Sequence, residues 1–115
     1  MPEFGLTRTW GAAAAGLLMA GTAASTSKAV SADQAHTIVI ENVQFNPQNL
    51  TVKTGDQIIW INKDLFPHSA TASAKAFDSQ AIAPNASWNW VASKPGTYTY
   101  VCTFHPTMKG TITVQ

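Results

Sequence analysis

The stretch Cys102-Thr103-Phe104-His105-Pro106-Thr107-Met108 places a thiol, an imidazole and a thioether at i, i+3 and i+6. A regular strand sends alternate side chains to opposite faces, so donors at these spacings cannot all meet at one point on a single strand. Gly96 to Cys102 reads as a strand that ends at the cysteine. Pro106 forbids ordinary strand continuation, and Lys109 to Val114 starts a new strand. The spacing predicts a tight loop between two strands, and therefore a fold of strands gathered at one end. A further imidazole, His68, stands upstream after Phe66-Pro67. A soft thiolate, two imidazoles and a weak thioether form the donor set of a blue-copper site, suited to an ion that alternates between Cu(I) and Cu(II). His68, Cys102, His105 and Met108 are accordingly the candidate metal ligands, and the chemistry they imply is electron transfer.

Taken singly, each residue has an ordinary explanation. A lone cysteine is commonly a small buried hydrophobe, a methionine core filler, and a histidine a satisfied or surface residue. It is the joint spacing, after a strand and with His68 in a Pro-His turn, that carries the metal reading. His36 stands at the start of the first expected strand with no partner ligand near it, and is left outside the site. With one cysteine in 115 residues no intramolecular disulfide can form. A free thiol is a liability in an oxidising compartment unless it is buried or metal-bound.

The first 32 residues differ in kind from the rest. Arg8 gives a positive start, Gly11 to Ala20 is an apolar run, and small residues continue to Val30-Ser31-Ala32. This is the pattern of a secretory signal peptide. Cleavage is expected after Ala24 or Ala32, with the second preferred because Asp33 directly precedes the first strand. The apolar run falls short of the ~20 residues needed to span a bilayer, so no stable membrane insertion is expected. The expected location is periplasmic, and the domain runs from 33 to 115.

Beyond Ala32 the alternation is strand-like. His36 to Glu41, Val43 to Phe45, Asn49 to Lys53, Gln57 to Asn62, Ser69 to Ala72, Ser87 to Val91, Gly96 to Cys102 and Lys109 to Val114 are short runs punctuated by Gly, Pro and Asn. Such spacing predicts an all-β Greek-key sandwich of about seven to eight short strands. Ile38, Ile40, Val52, Ile59, Ile61, Trp90, Tyr98, Tyr100, Ile112 and Val114 are the expected inward positions. Ser73 to Ala83 is polar and alanine-rich and is expected to form a loop with at most one helical turn.

The paired motifs Phe66-Pro67-His68 and Cys102-Thr103-Phe104-His105-Pro106-Thr107-Met108 resemble those of the cupredoxins, specifically the amicyanin and plastocyanin-like branch. The two residues between His105 and Met108 match the short loop of amicyanins. The resemblance covers Ile38 to Val114 and implies one type 1 copper ion held by His68, Cys102, His105 and Met108. It also implies a monomer that meets redox proteins through an apolar patch around His105, with Phe66, Pro67, Phe104 and Pro106 as the nearest candidates. One residue departs from the pattern: where the family usually has an asparagine after the first histidine, bonded across to the cysteine loop, this chain has Ser69. A serine hydroxyl can make a similar bond but reaches less far.

From Asp33 onward five acidic residues and five lysines are scattered without a run. Nucleic-acid binding and strong electrostatic steering are not expected. A copper enzyme would need further histidines for a second centre, and only His36 remains. A periplasmic copper carrier or storage protein could use the same ligands, although methionine-rich and histidine-rich tracts are absent. Zinc is disfavoured because a thioether is a poor ligand for it.

Overall fold

The computed structural model describes residues 33–115, so the signal-peptide expectation for residues 1–32 lies outside the described residues. Eight strands follow in order: β1 Ala35–Glu41, β2 Gln44–Asn46, β3 Asn49–Val52, β4 Gln57–Asn62, β5 Thr71–Ala72, β6 Ser87–Val91, β7 Gly96–Cys102 and β8 His105–Val114. They form two four-stranded sheets of order β2-β1-β4-β6 and β3-β8-β7-β5. β1 runs parallel to β4 and β3 parallel to β8, while the other pairs are antiparallel. The chain passes repeatedly from one sheet to the other, as the sandwich expectation required. No helix is present among the described residues.

The inner faces meet over Ile38, Ile40, Phe45, Val52, Ile58, Trp60, Tyr100, Ile112 and Val114. One expectation is corrected in β4, where Ile58 and Trp60 are buried and Ile59 and Ile61 are only half-buried. Asn62 takes the third inward place on that strand. The run Ile58-Ile59-Trp60-Ile61 is apolar on both faces, so its alternation carries no phase. Trp90 and Tyr98 pack against the core from its margin and are half-buried. The segment 73–83 forms no helical turn, and it contributes Phe77 and Ile82 to the core.

Aromatic rings fill the middle of the sandwich. Trp60 lies 5.5 Å from Trp88, 5.4 Å from Phe77 and 5.5 Å edge-on from Tyr100, and Tyr100 meets Phe45 at 4.6 Å. Edge-to-face contacts of this kind add about 0.5–1.5 kcal/mol each beyond the area they bury. Tyr100 has room only because residue 110, its partner across β7 and β8, is glycine. A Cβ at Gly110 would stand 2.4 Å from the Tyr100 ring carbon Cζ.

The turn between β1 and β2 departs from the sequence expectation, which placed Val43 in a strand. Asn42 and Val43 both take positive φ, 57° and 59°, and form a two-residue hairpin turn. Asn-Gly is the usual pair in such a turn, and a β-branched residue there is strained. The physical reason for the exception is a carboxylate: Asn42 N–H donates to Asp64 Oδ1 at 2.8 Å and Val43 N–H to Asp64 Oδ2 at 2.9 Å.

Candidate metal centre

Three of the four expected ligands converge at one end of the sandwich. Cys102 is the last residue of β7, His105 the first of β8, and His68 lies in the connection between β4 and β5. One donor atom from each can be chosen so that all three lie within 4.8 Å of one another. Cys102 Sγ is 3.5 Å from His68 Nδ1 and 4.0 Å from His105 Nδ1. Donors about 2.1 Å from a common first-row ion in a trigonal plane stand about 3.6 Å apart, so thiol and imidazoles are spaced to share one. Cys102 and His68 are fully buried and His105 is half-buried.

The convergence depends on two breaks in the period of the β-ladder. A two-residue turn, Thr103-Phe104, brings His105 opposite Cys102. The next pair is Val101 with Lys109, so Pro106, Thr107 and Met108 are extra residues on β8 with no counterpart on β7. The expected loop is therefore a turn followed by a bulge inside one long strand. Pro106 falls in the bulge, where the amide it lacks is not needed. Met108 is buried, three residues beyond His105, at the inward start of the row Met108, Gly110, Ile112, Val114.

His68 is held by its other nitrogen. Nε2 lies 2.8 Å from Asp64 Oδ2. An ionised carboxylate only accepts, so Nε2 carries a proton, and in the neutral ring that a metal ligand requires this leaves the Nδ1 lone pair facing the sulfur. Burial of Asp64 opposes its ionisation, but the Val43 amide, the His68 ring and the Asn42 amide outweigh it and hold this carboxyl below its ordinary range. Asn62 supports the same loop from beneath. Its Nδ2 donates to the carbonyls of Phe66 and Ile82, and its Oδ1 accepts the Asp64 N–H, all at 2.9 Å.

Ser69 fills the place of the family's asparagine. Its backbone N–H donates to Cys102 Sγ at 3.3 Å. Its hydroxyl accepts the Thr103 N–H at 2.9 Å, bonding across to the cysteine loop despite the shorter side chain. Asp64, Asn62 and Thr103 were not singled out in the sequence as site residues. Of these only Asp64 leaves a local signal, a carboxylate four residues before the histidine in Asp64-Leu65-Phe66-Pro67-His68. His36 does not approach the donors. Its Nε2 pairs at 2.9 Å with Asp56, which also accepts the Gln34 and Lys53 amides.

Known proteins share this architecture. Amicyanin-alpha of Methylorubrum extorquens is 29% identical over 83 residues, covering 68% of this chain and 70% of the relative. Plastocyanin of Scenedesmus fuscus is 36% identical over 84 residues, covering 62% of this chain and 86% of the relative. A solved amicyanin mutant in the oxidized state matches with a TM-score of 0.67 at 29% identity, over 70% of this chain and 82% of that one. The family model described as a cupredoxin-like domain matches residues 12–114, and the chain belongs to that family.

Proposed function

We propose that this is a small exported blue-copper electron-transfer protein, in which His68 Nδ1, Cys102 Sγ, His105 Nδ1 and the Met108 thioether hold one type 1 copper ion. The observation that carries the reading is the thiol of Cys102 set 3.5 and 4.0 Å from two imidazole nitrogens, one at the start of the neighbouring strand and one in the β4–β5 connection. When bound, copper supplies reversible one-electron chemistry through a thiolate bond that a thiol paired with two imidazoles is suited to make. The protein's part is to keep the donors in place. Asp64 fixes the His68 ring, Ser69 holds the sulfur and the Thr103 amide, and burial keeps water from the Cys102 side. A pocket that cannot relax much between oxidation states lowers the reorganisation that accompanies each transfer. No substrate is chemically altered.

Electrons would enter and leave at His105, whose ring lies 5.8 Å from that of Phe66. Leu65 is 91% exposed, Phe104 51% and Phe66 43%, and these support an apolar face on which a redox partner docks. Leu65 was not among the residues expected there. The likeness to amicyanin and plastocyanin supports an electron carrier between redox proteins, and the basic start and apolar run Gly11 to Ala20 support export to the periplasm with residues 1–32 as signal peptide.

Titrating the purified protein with Cu(II) and recording its visible absorption tests the assignment. One equivalent should produce an intense blue charge-transfer band that is absent in Cys102→Ala. A pale complex, or a band that survives loss of the thiol, would contradict it and bring forward the reading as a copper carrier or storage protein.

A further inference from the structure

The Ser69 hydroxyl belongs to a longer chain of hydroxyls that ends on a carboxylate. Thr103 Oγ1 lies 3.0 Å from Ser69 Oγ, Ser69 Oγ 3.1 Å from Thr71 Oγ1, and Thr71 Oγ1 3.0 Å from Asp78 Oδ1. Each hydroxyl has one proton and two lone pairs, while an ionised carboxylate can only accept. Thr71 must therefore give its proton to Asp78. Its remaining capacity toward Ser69 is as an acceptor, so Ser69 gives its proton to Thr71. Ser69 then has only lone pairs to offer the cysteine loop, and it receives both the N–H and the O–H of Thr103. Every proton in the chain points the same way, from the loop behind Cys102 toward Asp78.

We infer that Asp78 is a positioning residue for the cysteine loop, acting through Thr71 and Ser69 to orient the hydroxyl that anchors Thr103. Its effect on the metal rests on the copper reading above; its effect on the loop does not. Without a terminal acceptor, Thr71 can turn its proton toward Ser69. The Ser69 proton then points at Thr103 Oγ1, and the bond from the Thr103 amide is kept but no longer strengthened from the carboxylate end. Hydrogen bonds in a chain also polarise one another, by about 10–30% per bond, so the carboxylate strengthens the last bond from a distance. Asp78 is well placed for this because Gln80 N–H donates to the same Oδ1 at 2.9 Å and holds the carboxylate against Thr71. The backbone pairing of Thr71 with Asp78 keeps the two residues in register.

The test compares Asp78→Ala, Asp78→Asn and Thr71→Val with the parent, following amide hydrogen exchange in the metal-free protein and visible absorption with Cu(II) added. Thr103 should exchange about 1.5-fold faster in Asp78→Ala and Thr71→Val, the effect of weakening one hydrogen bond by the polarisation it loses. Amides of β1 and β6 should stay at parent rates. Asp78→Asn should restore Thr103, because the amide oxygen can be held toward Thr71 by the same Gln80 N–H. The blue band should shift in the two disruptive variants and not in Asp78→Asn. Unchanged Thr103 exchange in Asp78→Ala, exchange accelerated equally across both sheets, or an Asp78→Asn protein that behaves like Asp78→Ala would each overturn the inference. A parent protein without a blue band would overturn the copper reading alone, since the amide comparison needs no metal.

Discussion

The two halves of this sandwich are stabilised in different ways. In the middle, Trp60, Phe77, Trp88, Tyr100 and Phe45 are held by shape, and Trp60 Nε1 and Tyr100 Oη find no well-formed hydrogen bond among the described residues. Burial accordingly pushes the Tyr100 hydroxyl far above its ordinary pKa. At the donor end the buried groups are polar: His68, Ser69 and Asn62 are wholly enclosed, and each hydrogen-bonds to named partners. Tyr100 and Cys102 are two residues apart on the inner side of one strand, so a single element passes from one regime to the other. Packing energy is large and tolerant of direction; hydrogen bonds contribute less and specify geometry. A site that must hold donors between two preferred geometries is better built from the second.

The contrast can be broken most forcefully from the aromatic side. Trp60→Ala should cost about 4 kcal/mol, the range for truncating a fully buried aromatic, measured by denaturant unfolding of the metal-free protein. The fraction still folded should keep an unaltered copper spectrum. A changed spectrum would mean that core and donor end are not separable.

Asp64→Asn attacks the donor end. It replaces one carboxylate oxygen by an NH2 group that must face an N–H donor, and should cost about 2 kcal/mol while altering the Cu(II) band through the freed His68 ring. If stability falls and the band does not move, the carboxylate serves the β1–β2 turn alone.

A smaller effect separates Asp56 from both regions. Its carboxyl is held below the ordinary range by the Lys53 amide and the His36 ring, against burial, with the Gln34 amide adding to the lowering. Its contribution is therefore present above the usual carboxylate range and is lost as pH falls through the lowered value, because the unfolded chain binds the proton more readily. Acid unfolding of Asp56→Asn should be less steep than that of the parent over this window, with the copper spectrum at neutral pH unchanged.

The smallest effect should have the opposite sign. Val43→Gly relieves a left-handed conformation worth about 1–2 kcal/mol and adds a glycine entropy cost of about 0.5–1 kcal/mol. A net gain of about 0.5 kcal/mol is expected from the difference. A loss would mean that the Asp64 bonds already remove the strain.

The same division explains what could be read in the chain itself. Strands and turns were legible because Gly, Pro and Asn interrupt alternating runs, and the donors because cysteine, histidine and methionine stand at a spacing with few other uses. Ile59 and Ile61 were placed inward because β4 is apolar on both faces and its phase is set by neighbours, including buried Asn62. Phe77 and Ile82 were missed because loop residues reach the core without periodicity. Asp78, Thr71 and Thr103 were invisible for a different reason: their partners are up to 34 residues distant, and a threonine or exposed aspartate carries no mark of the bond it will make. Ser69 drew notice only as a departure from a family pattern.

A donor set built this way should keep its copper through a full redox cycle. A spectroelectrochemical titration of the copper-loaded protein tests it most directly. A single one-electron wave is expected, with the blue band bleaching on reduction and returning in full on oxidation. Release of copper on reduction, or a band that does not return, would contradict it.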